Sequence, residues 1–256
     1  MAGGSPTALH AAAALPRQRA WRGAAARRPG RAATRATQFG HHISLDDGPR
    51  CRLQAGQRRQ GHAGRVRPRP ARYGYLPASA FAYEGTPVDR ERFIAPFVEL
   101  EPAFILKRPL RGPNITVADV INAIEYAVPA IEIIDSRVQN WAIELPDTLS
   151  DNGSTGAVIL GGTPRRVDEL TLSDTRGTLH FNGHHMMDGN TRNILRNPFA
   201  ATAWLCNRLA TYGVEFEPGQ VILPGSCLEA VPMNEAGHWS GTFAGWGAVE
   251  FEVSAP

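Results

Sequence analysis

The chain has 256 residues, of which 43% are hydrophobic, and a formal net charge of +3, as expected for a mildly basic globular protein. That average combines two compositions. Residues 1–72 contain 15 arginines and two acidic residues, whereas residues 73–256 contain 12 basic and 22 acidic residues. This asymmetry predicts a basic segment followed by a separate domain. No run of about 18 apolar residues occurs, so no membrane span is expected.

The basic segment, residues 1–72, is of low complexity and is predicted to be disordered, because its Arg/Ala-rich sequence has too few apolar residues for a core. Three interpretations remain open: an organelle transit peptide, a nucleic-acid-binding arm, or an out-of-frame translation of a GC-rich gene. Only two aromatic residues, Trp21 and Phe39, precede Tyr73. Single-strand binders interleave aromatic and basic residues, so a nucleic-acid partner is disfavoured.

The three cysteines, Cys51, Cys206 and Cys227, are far apart and form no Cys-x-x-Cys pair. This spacing argues against a disulfide framework and against a zinc site. We therefore expect a reducing compartment, and a cytoplasmic location is predicted.

The first informative element of the domain is a strand predicted over residues 94–106. Period-two alternation places Glu99 and Glu101 on one face, which continues with Ala103 and Ile105. One interpretation is an edge strand with its charges in solvent. The other is one side of a metal site.

A short helix is predicted next. Thr116 and Asp119 have the spacing of a capping box, and an apolar stripe follows over 117–124. Pro129 is expected to lie just beyond the end of this helix.

A second apolar strand is predicted over residues 128–135, with Glu132 in its middle. A buried carboxylate must be protonated, paired or bound to a metal ion. A protonated core glutamate remains one alternative. Together with Glu99 and Glu101, Glu132 would supply three oxygen ligands, which suits Mg²⁺ or Mn²⁺.

Residues 147–156 are predicted to form a polar loop. Its side chains Asp151, Asn152 and Ser154 are candidates for binding a small carboxylate-bearing substrate, although an ordinary turn is equally compatible. Strands are predicted over 157–160, 169–172 and 178–181. His184 and His185 should then lie in a turn, where histidines are usually solvated.

A longer helix is predicted from Asn197-Pro198 to Gly213, which match an N-cap, a first-turn proline and a stop signal. Much of its packed face is expected to be formed by Ala200, Ala203, Trp204 and Ala210, with Cys206 in the core. Strand 221–223 then leads to Gly225 and Ser226, a candidate anion cradle. The final strands, over 242–253, should bury Val249, Phe251 and Val253.

Several runs in this order resemble a known family: Val98–Phe104, Pro129–Arg137, Asp147–Asn152, Ala203–Leu209 and Gly219–Ser226. They are similar to the 2-oxopent-4-enoate (2-hydroxypenta-2,4-dienoate) hydratases and the 4-oxalocrotonate decarboxylases of the fumarylacetoacetate hydrolase superfamily. The resemblance covers about residues 73–256, which are predicted to be the catalytic domain.

The resemblance implies an α+β fold, a mixed β-roll of the fumarylacetoacetate hydrolase C-terminal type with flanking helices. It carries the family's metal ligands over to Glu99, Glu101 and Glu132, with Mg²⁺ or Mn²⁺ as cofactor. It further implies a cytoplasmic homo-oligomer that hydrates a short 2-hydroxy-2,4-dienoate to a 4-hydroxy-2-oxo acid in the meta-cleavage catabolism of aromatics.

Two departures from the family pattern bear on activity. The family's Lys-Ile-Gly-Leu-Thr-Ser stretch is absent, because no lysine precedes Lys107, so no catalytic residue is assigned. Asn197 stands where the family has a histidine before proline. The alternatives to a hydratase are a 4-oxalocrotonate-type decarboxylase and an inactive relative. Trp141-Ala142-Ile143 favours the hydratase branch.

Overall fold

The structure, a computed structural model, describes residues 51–54 and 72–255. Within these ranges the strands are β1 (Cys51–Gln54), β2 (Arg72–Tyr75), β3 (Phe81–Tyr83), β4 (Val88–Asp89), β5 (Phe97–Leu106), β6 (Ile124–Ile134), β7 (Thr155–Leu160), β8 (Arg176–Phe181), β9 (His184–Asn190), β10 (Val221–Leu223), β11 (Val231–Pro232), β12 (Gly237–Phe243) and β13 (Gly247–Ser254). The α-helices are α1 (Val117–Ala123), α2 (Leu145–Ser150) and α3 (Pro198–Ala210). Short 3-10 helices cover Ala78–Ala80, Arg90–Arg92, Gln139–Trp141, Asn152–Ser154, Val167–Glu169 and Thr191–Asn193.

Most of the predicted basic segment, residues 1–50 and 55–71, lies outside the described residues. Cys51–Gln54 and Arg72, which composition assigned to that segment, are in strands β1 and β2. The proposed boundary at residue 72 stays a prediction.

Two sheets form the framework. The large sheet has the order β2-β1-β10-β5-β6-β7-β3, with β11 also paired to β5, and the small sheet has the order β4-β13-β12-β8-β9. Both are mixed: β1–β10, β3–β7 and β4–β13 are parallel, and the other pairs are antiparallel. Mixed sheets with few helices agree with the predicted α+β class.

The main core lies between the two sheets, on the face of β5 that carries Val98, Leu100 and Phe104. Close approach is possible because glycines face Leu100 from the small sheet. A Cβ added at Gly241 would lie 2.6 Å from Leu100 Cδ1, and one at Gly177 would lie 3.1 Å from Leu100 Cδ2. The prediction that these three β5 residues share one face is confirmed.

The opposite face of the large sheet has a smaller apolar cluster around Ala103, Val128, Ala130 and Val158. It continues onto β10 through Val221 and Leu223. Glu99, Glu101 and Glu132 belong to this face by the alternation of their strands. One face of the sheet thus packs in the main apolar core, and the other combines small buried apolar residues with three buried carboxylates.

Helix α1 forms as its capping box predicts. Thr116 Oγ accepts a hydrogen bond from Asp119 N–H, and Asp119 Oδ2 accepts one from Thr116 N–H. The helix ends at Ala123 and runs directly into β6. Pro129 is therefore inside β6 rather than just past the helix, so that prediction is wrong.

Strand β5 begins at Phe97, not at the predicted Ile94. The Asp135 carboxylate accepts hydrogen bonds from the backbone N–H groups of Ile94 and Ala95, both at 2.8 Å. These two N–H groups therefore bond to a side chain and not to a neighbouring strand, so the strand starts later.

The predicted strand 169–172 is also wrong, because Val167–Glu169 is a 3-10 helix. Arg166 binds the Asp168 carboxylate through two guanidinium nitrogens, and Thr175 Oγ donates to Thr171 O. These local bonds stabilise turns in place of a ladder. Leu172 lies in this turn, and its side chain is buried in the main core.

His184 and His185 are not in a turn, since they begin β9. The turn consists of Asn182 and Gly183 alone, with φ of 49° and 77°. An Asn-Gly pair with positive φ forms a two-residue hairpin turn, so pairing resumes at His184, opposite Phe181.

Helix α3 has the predicted start, with Asn197 Oδ1 accepting from Phe199 N–H. Its packed face is predicted in part: Ala203 is buried and Trp204 packs against the main core, whereas Ala200 and Ala210 are only half-buried. The larger side chains Phe199, Leu205 and Leu209 are also buried, together with Cys206, which is in the core as predicted. None of the described helices is long and apolar enough to cross a membrane.

The remaining strand predictions are confirmed with small shifts. Residues 157–160 lie in β7, 178–181 in β8 and 221–223 in β10. In β13 the side chains of Val249, Phe251 and Val253 are buried, and Glu250 and Glu252 are exposed.

Candidate metal centre

Three glutamates meet on the β5–β6 pair because of the register of the two strands. Glu99 lies directly opposite Glu132, and Glu101 lies two residues further along β5, opposite Ala130. Cross-strand partners and residues two apart share a face, so all three carboxylates project to the same side. Each carboxylate offers one oxygen, and these oxygens lie within 4.8 Å of one another.

All three glutamates are fully buried, at 0% relative exposure. Strand β5 is flanked by β10 and β6, so it is an interior strand of the sheet. The alternative of an edge strand with its charges in solvent is therefore wrong. The structure brings together the three residues that the sequence singled out.

Two hydrogen bonds orient this triad, one from the loop after β10 and one from the first residue of β7. The backbone N–H of Gly225 donates to Glu101 Oε2 at 2.9 Å, and Thr155 Oγ donates to Glu132 Oε1 at 3.0 Å. Hydrogen bonds to a carboxylate are strongest when it is ionised, and they favour the charged form. Gly225 has a φ of 123°, which favours glycine at this point.

The pKa of Cys227 is affected by the negative charges of the same region. Its thiol is buried, and burial, reinforced by the negative charges of Glu101 and Glu99, raises its pKa well above the ordinary value. The thiol is consequently neutral at physiological pH and a poor nucleophile.

The donor set fits a hard divalent cation. Three carboxylates this close repel one another strongly in a buried environment, and an oxygen-binding cation relieves that repulsion. The alternative for Glu132, a protonated core glutamate, accounts for one buried carboxyl but gives no reason for three to converge. The buried acidic triad can thus hold a metal ion.

The polar residues predicted after β6 are close together but each is engaged within the chain. The predicted loop is in part helical, since α2 ends at Ser150. Asp151 accepts from Arg137 Nε at 2.5 Å and from Ser154 Oγ at 2.8 Å. Asn152 forms a pair of 2.6 Å hydrogen bonds with the backbone of Tyr75. Direct substrate contact by Asp151, Asn152 and Ser154 stays a prediction.

The candidate cradle at Gly225 and Ser226 lies at the triad, after β10. The Gly225 N–H faces Glu101, as described, and Ser226 Oγ donates to Leu228 O at 2.9 Å. The cradle thus contributes one donor to a metal ligand, and its contact with a substrate anion stays a prediction.

His184 and His185 lie on the small sheet, with exposed side chains. His185 Nε2 is 3.2 Å from Asp188 Oδ2, and its ring packs edge-on against His180 at 5.9 Å between centroids. Their neighbours are thus other residues of β8 and β9, on a different sheet from the three glutamates.

Sequence reasoning missed two residues near the triad, Thr155 and Arg137. Arg137 was visible as the cation that follows the buried strand in Asp135-Ser136-Arg137. The contact of Thr155 with Glu132 could not be predicted from the sequence, because threonine is common in strands whatever its role.

Comparison with known proteins gives a consistent picture. The family model for the fumarylacetoacetate (FAA) hydrolase C-terminal domain matches residues 51–253. A 2-oxo-hept-4-ene-1,7-dioate hydratase from Escherichia coli is 39% identical over 183 residues, covering 69% of this chain and 68% of the relative. A 2-keto-4-pentenoate hydratase from Burkholderia vietnamiensis is 36% identical over 177 residues, covering 69% and 68%.

A solved structure supports the same fold. The 4-oxalocrotonate decarboxylase from Pseudomonas putida G7, complexed with magnesium and adipate, has a TM-score of 0.70 and 30% sequence identity. The alignment covers 72% of this chain and 70% of that chain. A second structure of that decarboxylase, complexed with calcium and acetate, has a TM-score of 0.68. Both complexes contain a divalent cation.

Proposed function

The chain belongs to the fumarylacetoacetate hydrolase superfamily, within its 2-oxopent-4-enoate hydratase and 4-oxalocrotonate decarboxylase family, and from this premise we propose that it is a metal-dependent hydratase. The substrate is a short 2-hydroxy-2,4-dienoate, and the product is a 4-hydroxy-2-oxo acid. One water is added across the terminal alkene, and the enol becomes a ketone. The observation that carries the proposal is the buried convergence of Glu99, Glu101 and Glu132.

Glu99, Glu101 and Glu132 would hold Mg²⁺ or Mn²⁺, both of which prefer carboxylate oxygen. When bound, the ion supplies a Lewis acid beside the substrate's 1-carboxylate and 2-oxygen. Gly225 and Thr155 keep two of the carboxylates oriented, which reduces reorganisation during the reaction.

The side chains around the triad on its face of the sheet are small and apolar. On the same face of the sheet, Ala103, Val128, Ala130 and Val158 are buried. A diene placed against these side chains would have an apolar neighbour for its hydrocarbon part, while the reacting water comes from the open side of the site. Asp151, Asn152, Ser154, Gly225 and Ser226 remain our candidates for polar contact with the substrate.

The family assignment also supports a cytoplasmic homo-oligomer that acts in aromatic catabolism on small 2-oxo acids. These finer points rest on the resemblance. Several of the similar relatives carry hydratase names for such substrates, including the 2-hydroxyhexa-2,4-dienoate hydratase of Comamonas testosteroni, which is 33% identical.

The test is turnover of 2-hydroxypenta-2,4-dienoate by the full chain with Mg²⁺ or Mn²⁺, followed by loss of dienol absorbance. Activity should disappear on chelation and should not be restored by metal in Glu101→Gln. Metal-independent turnover would contradict the proposal. Metal binding without turnover of any dienoate would identify an inactive relative and overturn the proposed activity.

The second candidate is decarboxylation, because the 30% identical structural neighbour is a decarboxylase bound to magnesium and adipate. Both reactions need the same stabilisation of negative charge at the 2-oxygen. Incubation with 2-oxohex-3-enedioate separates them: release of CO₂ without hydration of the dienoate would make this candidate correct.

A further inference from the structure

The turn between α2 and β7 has an unusual backbone. Asn152, Gly153 and Ser154 all have left-handed φ values, of 52°, 70° and 60°. Non-glycine residues adopt this region infrequently, so consecutive examples need external contacts to hold them. Thr155, whose hydroxyl faces Glu132, follows this turn directly.

Arg137 binds both ends of the turn. Its Nη2 donates to Asp151 O at 2.6 Å, and its Nη1 donates to Thr155 O at 3.1 Å. The same Nη1 is 2.6 Å from Asp135 O, at the end of β6, and Nε reaches the Asp151 carboxylate. The guanidinium group thus joins the turn to the strand that carries Glu132. We call this set of bonds the Arg137 clamp.

Further bonds fix the interior of the turn. Ser154 Oγ donates to Asp151 Oδ2 at 2.8 Å, and Ser154 O accepts from Asp135 N–H at 2.7 Å. The Asn152 amide both donates to and accepts from the Tyr75 backbone, as a strand neighbour would. The turn is therefore anchored on both sides, to β6 and to β2.

The end point of this network is the Thr155 hydroxyl. It lies 3.0 Å from Glu132 Oε1 and 3.3 Å from Asn152 O. A hydroxyl donates one hydrogen bond, and the shorter bond to a carboxylate is the stronger of the two. Fixing the turn therefore fixes the donor that orients Glu132.

We propose that Thr155 is a positioning residue for Glu132, and that the Arg137 clamp with Asp151 and Asn152 holds it in place. This inference rests on the proposed metal centre. Residues that hydrogen-bond to metal ligands fix their orientation, and their removal typically weakens metal affinity by about 10- to 100-fold. In addition to the proposed substrate contacts, Asp151 and Asn152 would thus hold the backbone of the turn.

The experiment measures Mn²⁺ affinity of the full chain by counting free Mn²⁺ with electron paramagnetic resonance. Thr155→Val removes the hydroxyl with little change in shape and should weaken binding about tenfold. Thr155→Ser keeps the hydroxyl and should bind within about threefold of wild type. If Thr155→Val does not fold, as judged by circular dichroism, Thr155→Ala takes its place in the same comparison.

A second pair of variants tests the clamp. Arg137→Met removes it, whereas Arg166→Met removes an exposed arginine that binds only the Asp168 carboxylate. Only Arg137→Met should weaken Mn²⁺ binding, by about three- to tenfold.

The outcomes separate this inference from the proposed function. If wild type binds Mn²⁺ and Glu101→Gln does not, but Thr155→Val binds as wild type, the positioning role is overturned and the metal centre stands. Equal losses in Arg137→Met and Arg166→Met would overturn the clamp. If wild type binds no Mn²⁺, both proposals fall.

Discussion

The two faces of the β5–β6 pair differ although they share the same backbone. On one face, Val98, Leu100 and Ile131 pack between the sheets in the main core. On the other, Glu99, Glu101 and Glu132 are equally buried but bring three acidic groups together. The first arrangement lowers the free energy of the folded state, whereas the second raises it unless a cation is bound. One face of the β5–β6 pair thus stabilises the fold, and the other forms the candidate metal centre.

This comparison predicts its largest effect at Glu101. Glu101→Gln keeps the shape and an acceptor for the Gly225 N–H, but it removes one of the three negative charges. We expect turnover to fall about 10³-fold, since metal assistance is worth several kcal/mol. Activity assays with the wild type and the variant at matched Mn²⁺ concentrations measure the ratio.

The same variant should be no less stable than wild type in chelator, because it relieves repulsion among buried carboxylates. Thermal unfolding in chelator checks this. A much less stable, metal-free Glu101→Gln would mean that the carboxylate supports the fold, and the division between the two faces would be lost.

On the apolar face the next largest effect is expected at Leu100. Leu100→Ala should lower the free energy of unfolding by about 3 kcal/mol, because a buried leucine is removed from a packed interface with Gly177 and Gly241. Urea denaturation gives the value. Ile121→Ala, at a 38% exposed position on α1, is the matched control and should cost much less.

The smallest effect is expected for a carboxylate outside the triad. Asp188 is exposed on the small sheet, and hydrogen bonds from Arg176, with further ones from Thr178 and His185, lower its pKa from an ordinary 3.8 to about 2. A depressed folded-state pKa contributes stability above the unfolded-state pKa, which is lost as pH falls through the folded-state pKa. Asp188→Asn should therefore differ slightly from wild type at pH 7 and converge with it between about pH 4 and pH 2.

Acid unfolding of Asp188→Asn beside wild type tests this expectation. A stability difference that widens as the pH falls would have the wrong sign. A large loss of stability at pH 7 would show that an exposed carboxylate contributes as much to the fold as the buried residues do, which would contradict this expectation.

The local features of the fold could be predicted from the sequence. The capping box at Thr116, the cap at Asn197 and the alternation in β13 depend on neighbours within a few residues, and each was predicted correctly. The same alternation placed Glu99 and Glu101 on one face. The start of β5 was predicted wrongly because a distant side chain intervenes: Asp135 binds the N–H groups of Ile94 and Ala95.

The candidate site was predictable in identity but not in geometry. Burial of Glu132 followed from its apolar strand, yet its pairing with Glu99 depends on strand register, which is set by packing of the whole sheet. The turn at 152–154 could not be predicted, because its left-handed backbone is held by Arg137 and by Tyr75, the latter 77 residues away. Thr155 depends on that turn and was missed for the same reason.

The most direct test of the central claim is a crystal of the protein soaked in Mn²⁺, with anomalous diffraction measured at the manganese edge. A single strong anomalous peak within coordination distance of the carboxylates of Glu99, Glu101 and Glu132 is the predicted result. Ordered carboxylates with no peak between them, or a peak held by other residues, would contradict the account.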